Sequence, residues 1–383
     1  MPETLVVERG QLDGQISVAF PLTDTPDITG QVWLRGADLR STDVPQSLKN
    51  VNAHLQLQGD RVRLHYLRGE VANVKWHAKG TVGLQTGWQI DAEVGTLDLA
   101  PTLSAFNLEP PVPLGGRVHI PRLEIRGALD NPNVQGEIRS QTPLRVDQLR
   151  LQSVTLPFVA SLEGLQLTNA VAELQSGGTL NADLRLQPNG AFQGRAQVRH
   201  VALDAIAAAY DVASPMPLGR GFAQIDFGGD VAAPETWLAK AAFELPTAQY
   251  PLRGVAQINQ TQLLVPNFQV QLRPGVLQGR AQAVAGRWQL EATAHNVALR
   301  QFSDQVHGQL NGEAIAQGRI DELNLGAITA QANLRVSPTP TGDPLLARLG
   351  WDGQQLRLQE ATLGECVPKG RLRWMWMPLP SGR

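Results

Sequence analysis

Apolar and polar residues alternate at period two through most of this chain, the pattern of strands with one face turned from water. Leu55 and Leu57 alternate with Gln56 and Gln58; Val62, Leu64 and Tyr66 alternate with Arg63, His65 and Leu67. The same texture recurs in LEIRG, LRLQS, LQLTN, LRLQP, FQVQLRP and LRLQE. Glycines at 59, 69, 80, 83 and 87 punctuate the first runs, as short connections between strands require. Helical spacing is confined to short links: Leu99, Leu103 and Phe106 in one, and Leu203, Ile206 and Tyr210 in another, with a weaker third from Arg300 to Val306.

A twelve-residue phrase organises these runs. WQIDAEVGTLDL starts at Trp88, FQGRAQVRHVAL at Phe192 and WQLEATAHNVAL at Trp288, with the starts 104 and 96 residues apart. Each copy has an aromatic first, Gln second, Ala fifth, Leu or Val tenth and Leu twelfth. Further landmarks lie beyond the phrase. Pro113-Leu114-Gly115 matches Pro217-Leu218-Gly219, and Pro143-Leu144-Arg145 matches Pro251-Leu252-Arg253. A five-residue step joins Gly127 to Pro132, Gly229 to Pro234 and Gly318 to Leu323. A repeat near one hundred residues holds several strands per unit and one short helix. The expected fold class is therefore all-β: an elongated, repetitive β-sheet curled into a taco-like groove, with short helices between repeats. The expected array covers residues 1–365 in units 1–87, 88–191, 192–287 and 288–365, and 366–383 form an atypical tail.

Composition narrows the function classes. The formal charge is −2 over 383 residues, so there is no basic excess of the kind nucleic acid requires. No apolar run is long enough for a helical membrane span, and MPETLVVERG lacks the regions of a signal peptide. The chain reads as an excerpt of a longer protein. Cys366 is the only cysteine, which excludes an internal disulfide. The seven histidines (54, 65, 77, 119, 200, 295 and 307) show no metal-ligand spacing, and the carboxylates form no pair suited to glycosidic chemistry. GRGFAQ at Gly219 lacks the third glycine of a dinucleotide fingerprint, and no nucleophile elbow or phosphate loop is present. The expectation is a non-enzyme with no cofactor and no metal. In the tail, Lys369, Arg371 and Arg373 beside Trp374 and Trp376 read as an edge strand or a foreign end, with a membrane-interface patch as the alternative.

The G-x-(L/V)-x-x-P steps, the W-Q-(L/I)-x-A strand and the Gly-punctuated L-R-L-Q strands resemble the TamB and AsmA-like envelope proteins, relatives of the bridge-like lipid transporters. The resemblance runs from about Leu5 to Gly364 and rests on texture and repeat plan. It implies a middle segment of a periplasmic, envelope-spanning protein, with an inner-membrane anchor and a C-terminal domain outside this chain. Implied partners are phospholipid acyl chains and an outer-membrane barrel-assembly partner of the TamA kind. The implied activity is phospholipid transport between membranes or aid to outer-membrane protein biogenesis. Leu55, Leu57, Val62, Leu64, Leu184, Leu186, Phe268, Val270, Leu272, Trp288 and Leu290 would line the groove, with Gln269, Gln271 and Arg273 outside. The alternative is a structural β-repeat spacer that buries the same residues in a closed core.

Overall fold

The computed structural model describes residues 5–20, 27–41, 45–110, 112–212, 216–301, 307–322, 324–337 and 342–363. The tail with Cys366, the step residue Leu323 and residues 302–306 of the third helical link lie outside the described residues. The strands are β1 (Leu5–Ala19), β2 (Asp27–Ser41), β3 (Leu48–Gln58), β4 (Arg61–Val71), β5 (Val74–Gly83), β6 (Gly87–Asp98), β7 (Leu114–Gly115), β8 (Arg117–Gly127), β9 (Pro132–Ser140), β10 (Leu144–Val146), β11 (Leu149–Ser161) and β12 (Gly164–Leu174). They continue as β13 (Thr179–Leu186), β14 (Ala191–Ala202), β15 (Arg220–Asp230), β16 (Ala233–Leu245), β17 (Leu252–Asn259), β18 (Gln262–Gln271), β19 (Val276–Val284), β20 (Arg287–Ala298), β21 (Gln309–Arg319), β22 (Thr329–Ser337), β23 (Leu345–Trp351) and β24 (Leu356–Leu363). All belong to one open, 24-stranded antiparallel sheet. By contact density the chain divides into two compact units, Met1–Val212 with Asp226–Thr236, and Ala213–Ile225 with Trp237–Arg383.

Strands pair with their neighbours in sequence, with one local variation: β6 pairs β8 and β9 pairs β11, while the short β7 and β10 pair with each other. That last pair joins two landmarks, since Arg145 of Pro-Leu-Arg lies opposite Gly115 of Pro-Leu-Gly. Helices α1 (Leu99–Ala105) and α2 (Leu203–Ala209) start at the twelfth residue of the first two phrases. In the third copy only a single 3-10 turn, Leu299–Gln301, is described there.

The repeated phrase encodes a bulge as well as a strand. Its apolar positions are one, three, five and seven, then ten and twelve, so strict alternation breaks after the seventh residue. At the ninth position His200 and Asn296 adopt left-handed backbone, with φ of 54° and 53°. The extra residue of a bulge re-aims the side chains beyond it, and Val201 and Val297 next in sequence are among the most buried side chains, at 1% and 2% exposure. Asn50 (φ 51°) and Val51 repeat the device in β3, as do Asn169 (φ 54°) and Ala170 in β12. At three of these sites a side chain on an adjacent strand accepts the bulge N–H: Asp38 Oδ1 from Asn50 at 2.9 Å, Asp183 Oδ1 from Asn169 at 2.8 Å and Asn311 Oδ1 from Asn296 at 2.9 Å.

One bulge corrects the sequence reading. In β4 the register shifts so that His54 lies opposite Tyr66 while Leu55 lies opposite Leu64. Leu67, not Tyr66, therefore joins the apolar face, opposite Ala53 and Ala78. Tyr66 is exposed on the polar side, where the Trp33, His54 and His65 rings stack at centroid distances of 4.9 and 4.5 Å.

Each unit has its own small cluster of packed apolar residues. In the first, Val118, Leu144, Val154 and Ala172 are buried, with Leu97, Ile138 and Leu180 against them. In the second, Leu272, Ala294 and Val297 are buried beside Tyr250, Val270, Leu277 and Leu310. About half of the buried apolar residues are alanines, including Ala53, Ala78, Ala172, Ala196, Ala256 and Ala294. Small side chains suit the inner face of a curled sheet, where neighbouring side chains converge and room is short.

Candidate functional site: the apolar face of the sheet

Register turns the alternation of single strands into rows that run across strands. In the first unit one row reads Leu12, Leu34, Ala53, Leu67, Ala78, Ala92, Leu123, Gly136, Phe158, Leu167, Leu184 and Gly194. The next row on the same face reads Gly14, Val32, Leu55, Leu64, Gly80, Ile90, Ile125, Val134, Ala160, Leu165, Leu186 and Phe192. Neither row contains a polar side chain over its twelve strands, a path of roughly 50 Å at ordinary strand spacing.

The second unit has the same construction. One row reads Leu245, Leu252, Val270, Leu277, Ala294, Gly312, Leu334, Ala347 and Ala361. The adjoining row on the opposite face reads Glu244, Arg253, Gln269, Gln278, Thr293, Glu313, Asn333, Arg348 and Glu360. Moving by one residue along each strand thus exchanges an all-apolar row for an all-polar one, because side chains alternate across a strand.

Ten of the eleven residues expected to line a groove are half-buried on this apolar face; Leu272, just past β18, is buried in the second cluster. Leu57 and Val62 lie opposite each other in a third row with Gly30, Val82 and Trp88, while Leu55, Leu64, Leu184 and Leu186 sit in the two first-unit rows above. Phe268, Val270, Trp288 and Leu290 lie on the corresponding face of the second unit. Gln269 stands in the polar row. Half-burial distinguishes this face from the centre of a sandwich, where a covering sheet would remove it from solvent.

Sequence reasoning missed how aromatic rings lie on this face. Phe243 and Phe268 flank Gly254, Phe268 also lies opposite Gly279, Phe158 opposite Gly136, and Trp288 opposite Gly318. A Cβ built on Gly279 would come within 2.7 Å of the Phe268 ring, and one on Gly318 within 3.0 Å of the Trp288 indole. The rings therefore lie flat across their neighbours and fill the space a glycine leaves. The Trp288 Nε1 donates to the Arg319 carbonyl at 3.1 Å, Trp88 to Leu129 at 3.3 Å and Trp351 to Leu325 at 2.9 Å. These contacts explain two repeat landmarks at once: the aromatic that opens the phrase lies opposite the glycine of the five-residue step, Trp88 on Gly127 and Trp288 on Gly318.

Charge is kept to the opposite face. Arg280 pairs with Glu291 at 2.6 Å, and Arg126 bridges Asp91 and Glu124. Glu124 also accepts from Gln135 at 2.9 Å and from Arg122; these bonds hold its carboxyl below the usual carboxylate range against the opposing effect of burial. Among the described residues no group of three or more His, Cys, Asp or Glu is placed to hold a metal ion. No described helix is long and apolar enough to cross a membrane. No protein-family model, curated protein or solved structure matches the chain.

Proposed function

We propose that this chain is a segment of a cell-envelope protein whose apolar sheet face carries phospholipid acyl chains, in the manner of the TamB and AsmA-like proteins it resembles. The observation that carries the reading is the pairing of unbroken apolar rows with half-exposure: the rows lie along the sheet with no polar interruption, and most of their side chains keep contact with solvent, Ala53, Ala78, Ile90, Leu245 and Ala294 being the buried exceptions. A large apolar surface left open in this way is the physical mark of a binding face.

The energetics suit sliding rather than tight capture. Each methylene withdrawn from water gains about 0.8 kcal/mol, so a sixteen-carbon chain gains roughly 12 kcal/mol, and a bilayer offers a similar gain. A face that matches the membrane therefore holds the chain without trapping it, and near-equivalent Leu, Val, Ile and Ala positions give it a similar contact at each strand. Headgroups would stay in water beyond the apolar rows. Outer-membrane biogenesis with a barrel-assembly partner belongs to the same proposal.

The test is photo-crosslinking in cells from a probe at Phe268, on the apolar face, compared with one at its neighbour Gln269, on the polar face. Lipid adducts at position 268 and their absence at 269 are expected. Equal labelling at both positions, or no adduct at either, removes the proposal.

A further inference from the structure

We infer that phospholipid boards and leaves the apolar face sideways, across one row of hairpin tips that carries the apolar pattern out into solvent. This rests on the lipid reading above and adds a route to it. In the first unit the β5–β6, β8–β9, β11–β12 and β15–β16 hairpins turn at the same ends of the strands. Gly83 lies opposite Gly87, Trp88 opposite Gly127 and Ser161 opposite Gly164, and the Val231 N–H donates to the Gly190 carbonyl of the β13–β14 turn at 3.0 Å.

At each of these four turns the apolar alternation continues one step past the strand. Gly80 and Val82 lead to Leu84, Ile125 and Gly127 to Leu129, Phe158 and Ala160 to Leu162, and Phe227 and Gly229 to Val231. The four tip residues are 77%, 38%, 66% and 56% exposed. Their backbone is nevertheless fixed: the Leu84 N–H donates to the Asp60 carbonyl at 3.0 Å, as Val231 does to Gly190, and the Leu129 carbonyl accepts the Trp88 indole N–H. The second unit repeats the device. Ala316 and Gly318 lead to Ile320, 48% exposed, whose N–H donates to the Gly286 carbonyl at 2.9 Å. Leu129, Val231 and Ile320 each stand two residues past the glycine of the five-residue step, so the exposed aliphatic side chain recurs with the repeat. A single exposed aliphatic residue is ordinary. Recurrence at equivalent, backbone-anchored tips that bury nothing points to a contact made there.

The opposite strand ends are built differently. Val51, Val118, Leu144 and Val201 are buried near them in the first unit, and Leu272 and Val297 in the second. The tight turns at those ends in the first unit carry Asn73, Gln148 and Ser176 at exposed positions. Leu108 and Tyr210, exposed on the same side, belong to the links that follow α1 and α2 and extend no strand. An acyl chain crossing there would pass polar turns, with its methylenes in water, whereas at the aliphatic tips apolar contact continues from the face to the edge.

Self-quenched fluorescent phospholipid in phosphatidylcholine vesicles brightens as the full chain withdraws it, which gives both a rate and an equilibrium amount. Leu84→Asp with Leu129→Asp and Leu162→Asp should slow capture, and release to unlabelled vesicles, by about tenfold each, the effect of exposing about two further methylenes at the crossing. The amount bound at equilibrium should not change, because an edge crossed in both directions alters rates alone. All three side chains are exposed, so the far-ultraviolet spectrum and melting temperature should match the parent. Asn73→Asp with Gln148→Asp and Ser176→Asp adds the same charge at the opposite strand ends and should leave both rates unchanged. Capture that the tip variant does not slow, or that both variants slow alike, overturns the inference and leaves the lipid reading standing. A dimer that the tip variant dissolves without slowing capture assigns the tips to a second copy and overturns it as well. A parent chain that captures no phospholipid removes both.

Discussion

Placing a charge on the apolar face at two neighbouring positions should give two different outcomes. Val270 is half-buried in the row between Leu252 and Leu277, on a face with solvent access, whereas Leu272, two residues on, is 7% exposed and packs with Ala294 and Val297. Val270→Arg forfeits part of one side chain's apolar contact, about 1 kcal/mol, and its flexible stem can lie along the rows while the guanidinium reaches water. Leu272→Arg buries a charge with no described acidic partner in its cluster, a penalty of about 3–5 kcal/mol. For a unit of this size each kcal/mol moves the melting temperature by about 2–4 °C. Thermal unfolding monitored by circular dichroism should therefore show a small fall for Val270→Arg and a fall of about 6 °C or more for Leu272→Arg. If the two variants melt together far below the parent, the face at Val270 is covered and the open-sheet argument fails. If both melt near the parent, the cluster around Leu272 is not the packing centre of its unit.

Two further substitutions and one titration test the architecture. Gly279→Ala places a Cβ 2.1 Å from the Glu291 carbonyl and should cost about 1–3 kcal/mol in chemical denaturation, while Gly318→Ala meets only the Trp288 ring at 3.0 Å and should cost less; the reverse order would refute the flat-ring packing. Asp38 accepts the Asn50 N–H and pairs with Arg9, which holds its carboxyl below the ordinary carboxylate value. The unfolded chain then binds the proton more readily, so this contribution is complete above the ordinary value and is lost as pH falls through the depressed one. A melting-temperature profile against pH should accordingly be shallower at its acid end in Asp38→Asn than in the parent; superimposable profiles would refute the assignment.

How much of this was legible in the residues depends on distance along the chain. Alternation is a property of neighbouring residues, so LRLQ and FQVQ runs revealed two-faced strands, and the phrase ending at Leu99, Leu203 and Leu299 located the helical turns. Side-chain period alone placed Leu55, Leu57, Phe268 and Val270 on the apolar face, since a strand turned by one residue would put Gln269 there instead. Register is a relation between strands, and no run by itself states that Leu184 meets Leu167 and Gly194, or that Phe268 lies across Gly279.

The bulges lie between these cases. A jump from the seventh to the tenth position of the phrase was visible in the letters, yet only the left-handed backbone at His200 and Asn296 shows that it buries Val201 and Val297. At Tyr66 alternation pointed the wrong way, because β4 inserts one residue against β3 and the aromatic ring turns to the polar side. Sequence by itself determined which side chains shun water and at what period. Tertiary structure decided which of them meet, through hydrogen-bond register and bulges, because those are set by pairing across strands and not by any residue's own preference.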